Sequence, residues 1–446
     1  MNFLELVNKN KDNLLGDLIK LLQINTVLVE QPENKNAPFG DGLKEALDYV
    51  LKLGESFGFK TLNVDNIAGH IEFGEGEEII GVLAHLDIVP FTDGWKYEPL
   101  SGTIEGDKLY ARGALDDKGP LMSSLYAMKI LKDMGFKPNK RIRLIIGTDE
   151  ESNWRCIKRY LEVCEMPTIG FSPDAEFPII YGEKGNMSID IISKYVDKDL
   201  VKIESGDRYN VVPDKVVAMF KKEIPGFEEY LKETGLKGDK QGNTLTLRGK
   251  AAHAMEPNNG VNALVKLSIF LKDKVENPLI KFVGENLIDT RFKEIGLNFT
   301  DEEMGDLTVN VALAKVDENG GKVGINMRYP RHWDEKKFIN KFKNLAEEYG
   351  LSINVIKDSG PHYVDKDSEL VKTLHNVYIK YTNDTSSKLM TIGGGTYARA
   401  LKNAVAFGML MPGREDVVHE ANEFIYISDY LLSTAIYADA LYQLGK

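Results

Sequence analysis

Glu78-Ile-Ile-Gly-Val-Leu-Ala-His-Leu-Asp-Ile-Val-Pro90 is apolar along most of its length, yet it delivers His85 and Asp87 at its carboxyl end. A short, unbroken apolar run reads as a strand covered on both faces, the kind found in parallel sheets. Its neighbours fit that reading. Asp41 to Phe57 carries Leu43, Leu47, Val50 and Phe57 on one helical face, and Asp117 to Met134 turns Leu121, Leu125, Met128 and Leu131 inward. Arg141 to Gly147 is a second buried strand and Thr168 to Phe171 a third, with a small hairpin at Thr103 to Tyr110. Alternating strands and helices of this type predict an α/β layer around a mostly parallel central sheet.

Further out, the pattern changes and then returns. From about Asn186 to about Tyr381 the strands alternate, as at Met187 to Ile192, Thr244 to Leu247, Thr308 to Ala314 and Lys322 to Tyr329. Helices at Gly260 to Lys272 and Trp333 to Tyr349 lie among them. Ala404 to Met411 then reads as one more buried strand and Ile427 to Leu444 as a helix. The expected organisation is a catalytic domain in two parts, 1–185 and 382–446, with an α+β lid domain, 186–381, inserted between them.

Composition narrows the function. The chain has 446 residues, 43% hydrophobic and 28% charged, the balance of a globular protein large enough for two domains. A formal net charge of −12 argues against a nucleic-acid partner, since phosphate binding needs a basic face. Met1 to Leu22 reads as an amphipathic helix without the apolar stretch of a signal peptide, and no apolar run is long enough for a membrane span. Cys156 and Cys164, the only cysteines, suit reduced thiols and a cytoplasmic location. Two cysteines alone build no thiolate zinc site.

The chemistry lies in where the acids fall. His85 and Asp87 end one strand, Glu150 and Glu151 follow another, Asp174 follows a third, and Asp116 and Asp117 occupy a glycine-rich turn before a helix. His419 comes soon after the strand ending at Met411. Taken singly these are ordinary features: a His-x-Asp pair is usually a hydrogen-bonded pair, a Glu-Glu pair is usually solvated, and Asp-Asp before a helix is usually a cap. Together they occupy the carboxyl edge of one sheet, where ligands of open α/β folds collect. Asp87, Asp116, Asp117, Glu150, Glu151 and Asp174, gathered there, repel one another unless cations offset them. Imidazole and carboxylate without thiolate suit two divalent metal ions, zinc first, with manganese or cobalt as alternatives. His85, Asp116 and Asp174 would serve one, and Asp116, Glu151 and His419 the other. Asp87 would orient His85, and Glu150 would be free to act as base.

Five motifs in order, Ala84-His-Leu-Asp-Ile-Val-Pro90, Arg112-Gly-Ala-Leu-Asp-Asp-Lys-Gly119, Thr148-Asp-Glu-Glu-Ser152, Ser172-Pro-Asp174 and His419-Glu420, resemble those of the dinuclear-zinc metallopeptidases related to aminoacylase and carboxypeptidase G. Within that family the whole chain looks most like the Xaa-His dipeptidases of the PepV, carnosinase-like type. The resemblance implies His85, Asp116, Glu151, Asp174 and His419 as metal ligands with Asp116 bridging, Glu150 as catalytic base, and a cis bond after Asp116. It implies substrate contacts from His253, Asn210, Arg328 and the loop Gly393, Gly394 and Gly395. It implies a small peptide as substrate and, from the length of the inserted domain, a monomer. His70, His332, His362 and His375 match no ligand motif and read as structural. A deacylase or desuccinylase of the same family is the near alternative, and a non-catalytic peptide-binding protein the distant one.

Overall fold

The computed structural model describes residues 2–446, so Met1, the first residue of the expected amino-terminal helix, lies outside them. The chain divides into two compact units. One comprises Met1–Tyr181, Val364–Met390 and Thr396–Lys446, the other Gly182–Tyr363 and Thr391–Gly395. The sequence division differs mainly at the helix Glu369–Thr382, which falls in the first unit and packs on the helix Ile427–Leu444. An amphipathic stripe shows that a helix has a buried face, not which core receives it.

In the first unit the sheet runs Lys60–Val64, Ala68–Phe73, Arg141–Gly147, Ile79–His85, Ile169–Ser172, Ala404–Ala406 and Ile180–Glu183, of which the last strand has only Ile180 and Tyr181 in this unit. Its four central strands, from Arg141–Gly147 to Ala404–Ala406, are parallel, and antiparallel strands flank them. Every residue of Ile79–His85 is buried, as the apolar run requires. The helix Lys118–Asp133 packs on this strand and its neighbour Arg141–Gly147. Phe3–Leu22 and Ile427–Leu444 pack in turn on that helix. Register positions the chemistry. His85 stands level with Gly147, and Val82 with Phe171, so these strands end together and release Glu150, Glu151 and Asp174 within a few residues of one edge.

One expected strand is broken. Ala404–Ala406 joins the main sheet, whereas Met409–Leu410 pairs with Ala175–Glu176 in a separate ribbon. Gly408 between them has φ +87°, and a Cβ there would lie 2.5 Å from the Phe177 ring and the Tyr437 hydroxyl. Only glycine fits that crowding in that conformation, and an apolar run does not reveal such a break.

The second unit has its own core around an eight-stranded sheet in the order Lys237–Gln241, Thr244–Arg248, Lys215–Phe220, Leu200–Ser205, Thr308–Asp317, Gly320–Tyr329, Gly185–Ser193 and Ser352–Ser359. All its pairings are antiparallel. Helices Ala263–Leu271, Pro278–Asn286 and Glu335–Glu348 contribute Leu264, Leu267, Leu279, Phe282, Phe338 and Phe342 to that core. Among the described residues no helix is long and apolar enough to cross a membrane.

Candidate metal centre

The first unit brings its acids and imidazoles to one point. His85 is fully buried; its backbone N–H donates to Asp117 Oδ2 at 2.8 Å, and its Nδ1 lies 3.0 Å from the Asp87 carbonyl oxygen. Its Nε2 lies 3.0 Å from Asp116 Oδ1 and 3.5 Å from Asp174 Oδ2. On the other side, His419 Nε2 lies 3.0 Å from both Asp116 Oδ2 and Glu151 Oε1. Asp116 thus offers one oxygen to each side. Two groups emerge, His85–Asp116–Asp174 and Asp116–Glu151–His419, each with its ligand atoms within 4.8 Å of one another. The remaining histidines, His70, His253, His332, His362 and His375, belong to neither group. His70 instead bonds the Tyr160 hydroxyl at 2.8 Å, and His332 lies 3.2 Å from Asp301.

Asp87 orients both groups. Its carbonyl faces the His85 ring, and its Oδ2 accepts from the Glu151 backbone N–H at 2.9 Å. The expected carboxylate–imidazole contact is the weaker one, 3.3 Å from Oδ1 to Nδ1. The bond after Asp116 is cis, in line with the resemblance. His419 holds a left-handed backbone at φ +62°, an uncommon conformation for a residue with a side chain.

Charge in the cluster is frustrated. Burial pushes the Asp117, Glu150, Glu151 and Asp174 carboxyls above their ordinary range, and neighbouring carboxylates add to the push. His419 is raised to about 10, first by its hydrogen bond to Asp116 and then by Glu151. Burial works to lower His85, but Asp116, Asp174 and Asp87 outweigh it and hold the imidazole well above its usual value. Asp116 is the exception: burial opposes its ionisation, but the two imidazoles pull it below its usual range.

The donor set fits divalent cations. His85 Nε2 and Asp116 Oδ1 face each other at 3.0 Å, both buried, and neither completes a hydrogen bond of sound geometry. Orphaned polar atoms of this kind are costly unless a cation satisfies them. Nitrogen and oxygen donors in groups of three match zinc, manganese or cobalt.

Three neighbours had no assigned role in the sequence. Tyr397 is buried and meets the His85 ring edge-on at 5.9 Å between centroids. Arg112 and Glu423 form a fully buried ion pair at 2.6 Å beside the Asp116 turn. Glu423 stands four residues beyond His419 in a polar stretch, and nothing local marks it as buried.

The second unit gathers the other sequence candidates. Arg328 is buried; its Nε donates to Asn326 Oδ1 and its Nη1 to the Gly393 carbonyl, each at 3.1 Å. A Cβ on Gly393 would lie 2.9 Å from Met255 Cβ, so glycine permits this close approach. His253 is exposed, and its Nδ1 accepts from the Met255 backbone N–H at 3.2 Å. Partial desolvation of the ring, and then the Arg328 charge, lower its pKa, which favours the neutral imidazole. Asn210 accepts through its carbonyl from the Ala254 N–H at 2.9 Å. Gly394 and Gly395 continue the Gly393 loop in the same unit.

Comparison with known proteins identifies the family. The profile of "Peptidase family M20/M25/M40" matches residues 81–443. "Putative dipeptidase YtjP" of Bacillus subtilis is 44% identical over 467 aligned positions, covering 100% of each chain. Among solved structures, human carnosine dipeptidase 1 superposes with TM-score 0.59 at 15% identity, covering 99% of this chain and 98% of that one. Aminoacylhistidine dipeptidase from Vibrio alginolyticus gives TM-score 0.57 at 14% identity, covering 96% of each. At those identities the two structures speak to the fold alone. The family match over most of the chain, with full-length similarity to the Bacillus protein, shows that this chain belongs to peptidase family M20/M25/M40, and so is a hydrolase of the metallopeptidase class.

Proposed function

We propose that this chain is a dipeptidase that works with two divalent cations, zinc first, held by His85, Asp116 and Asp174 on one side and by Asp116, Glu151 and His419 on the other. The observation that carries the reading is Asp116, whose two oxygens face different imidazoles, each at 3.0 Å. The cations would offset the crowded carboxylates and acidify a water at neutral pH. Glu150 takes the proton of the attacking water and returns it to the amine that leaves as the C–N bond breaks. What supports this role is its position directly before Glu151, just past the end of a buried strand, while it belongs to neither group of candidate ligands.

In the same proposal the second unit supplies the substrate groups. Arg328 and the Gly393–Gly395 backbone receive the peptide carboxylate, with Asn210 as a further contact. His253 stabilises the developing oxyanion. The name of a relative supports the dipeptide substrate, since the similar Bacillus protein is called a putative dipeptidase. A cytoplasmic monomer completes the proposal, supported by the size of the inserted unit Gly182–Tyr363 and by the free thiols Cys156 and Cys164.

The deciding experiment strips the protein with chelator. Zinc, manganese or cobalt is then added back while free and N-acylated dipeptides, β-Ala-His among them, are assayed. Turnover of free dipeptides that returns as two equivalents bind is the expected result. Two equivalents bound with cleavage of only the N-acylated compounds would transfer the site to deacylation.

A further inference from the structure

We propose that Glu423 is a positioning residue that locks the turn bearing Asp116 to the loop bearing His419, and so sets the spacing of the two cation positions. The inference rests on the dinuclear reading above but concerns a residue that supplies no ligand atom to either cation group.

The geometry is unusually directed. Glu423 is fully buried, and its Oε1 accepts from two consecutive backbone donors, Leu115 N–H at 2.9 Å and Asp116 N–H at 3.2 Å. Its Oε2 accepts from Arg112 Nη1 at 2.6 Å, and its own carbonyl accepts from Ala111 N–H at 3.1 Å. Every one of these partners lies within residues 111–116, the segment that ends at Asp116. Two adjacent N–H groups converging on one oxygen fix two successive peptide planes, and with them the direction in which the Asp116 side chain leaves the backbone. Four residues earlier the same loop carries His419, whose Nε2 lies 3.0 Å from Asp116 Oδ2. Immediately afterwards Phe424–Tyr426 pairs with Lys108–Tyr110, which ties the loop to the strand that leads into the turn.

A purely structural role is the competing explanation. Against it, a buried ion pair is a weak stabilising device, since apolar residues of similar volume often do as well. It does not explain why the carboxylate also gathers the two N–H groups next to Asp116. Arg112 is itself held beneath the Trp95 ring at 5.3 Å, so the charge facing Glu423 is fixed in place. Because His419 belongs to only one of the two cation groups, a loosened clamp weakens that group more than His85–Asp116–Asp174. A general loss of structure weakens both alike.

The test uses the full chain with Glu423→Ala and Glu423→Gln. Calorimetric zinc titration of chelator-stripped protein is expected to show one equivalent weakened by about tenfold to a hundredfold in the alanine variant, the range for residues that orient ligands. The other equivalent, which shares Asp116 but keeps His85 and Asp174, is weakened less. The glutamine variant, which keeps an acceptor oxygen but not the charge, falls between. Hydrogen exchange of the metal-free protein is expected to speed up at the Leu115 and Asp116 amides in the alanine variant. If that variant does not fold, the glutamine variant decides: unchanged affinity, or equal weakening of both equivalents, overturns the proposal. Unchanged exchange at Leu115 and Asp116 in folded alanine variant overturns the clamp alone. A wild-type protein that binds no divalent ion overturns the dinuclear reading and the clamp's purpose together, while the exchange result still reports on the geometry.

Discussion

In the first unit His85, Asp116, Asp174, Glu151 and His419 crowd together so closely that the carboxyls of Glu151 and Asp174 are pushed upward and buried polar atoms face each other without hydrogen bonds. In the second, Arg328 is seated by Asn326 and Gly393, and the His253 imidazole is pushed towards neutrality. In one region carboxylates outnumber the cationic groups; the other presents a guanidinium. The difference explains why each is proposed for its own ligand: cations where carboxylates accumulate, and an anionic group where a buried guanidinium is already held in position.

Substitution at the acid-rich region offers the sharpest way to break this contrast. Glu150→Gln removes the proposed base without removing a ligand, so both cations and the fold remain while kcat falls by roughly a thousandfold. Retention of a tenth or more of wild-type kcat, measured with two equivalents of metal bound, would falsify the role. A smaller effect is expected on the other side. Arg328→Lys keeps the charge but loses the planar fork, raising KM for free dipeptides by about tenfold to a hundredfold, the worth of a charge-assisted hydrogen bond. Dipeptide amides, which lack the carboxylate, are expected to change little. If free and amidated substrates suffer equally, the arginine does not read the carboxylate.

The smallest effect concerns pH. In metal-free protein the His419 pKa is raised from 6.5 to about 10. Its folded value exceeds its unfolded one, so its contribution to stability is fully present below about 6.5 and is lost as pH rises through about 10. Metal-free wild type is therefore expected to melt above His419→Ala near the lower pH, with the gap closing towards the upper. Cation binding runs the opposite way and tightens as pH rises, because the ligands must shed protons. Thermal melts of both proteins across that range, with and without zinc, separate the two trends. A gap that widens with pH would contradict the assigned contacts.

Much of the fold and of the candidate centre was legible in the chain itself. The apolar run before His85 marked a buried strand, and each of Glu150, Glu151 and Asp174 follows another, so their meeting at one edge followed from parallel pairing. Arg328 and the Gly393–Gly395 loop were found by motif, and the structure joins them through one hydrogen bond. Other features were not legible. The break at Gly408 depends on the Phe177 and Tyr437 side chains, which lie far away in sequence. The helix Glu369–Thr382 has a plain amphipathic pattern that suits either core.

The sequence alone therefore determined which side chains end which strands, because strand period and turn chemistry are local. Only the tertiary structure decided that Asp116 turns one oxygen to His85 and the other to His419, that Asp87 steadies His85 chiefly through its carbonyl, and that Glu423 binds the turn from more than 300 residues away. Those outcomes depend on strand register and on packing between distant segments, and neither leaves a periodic trace in the chain.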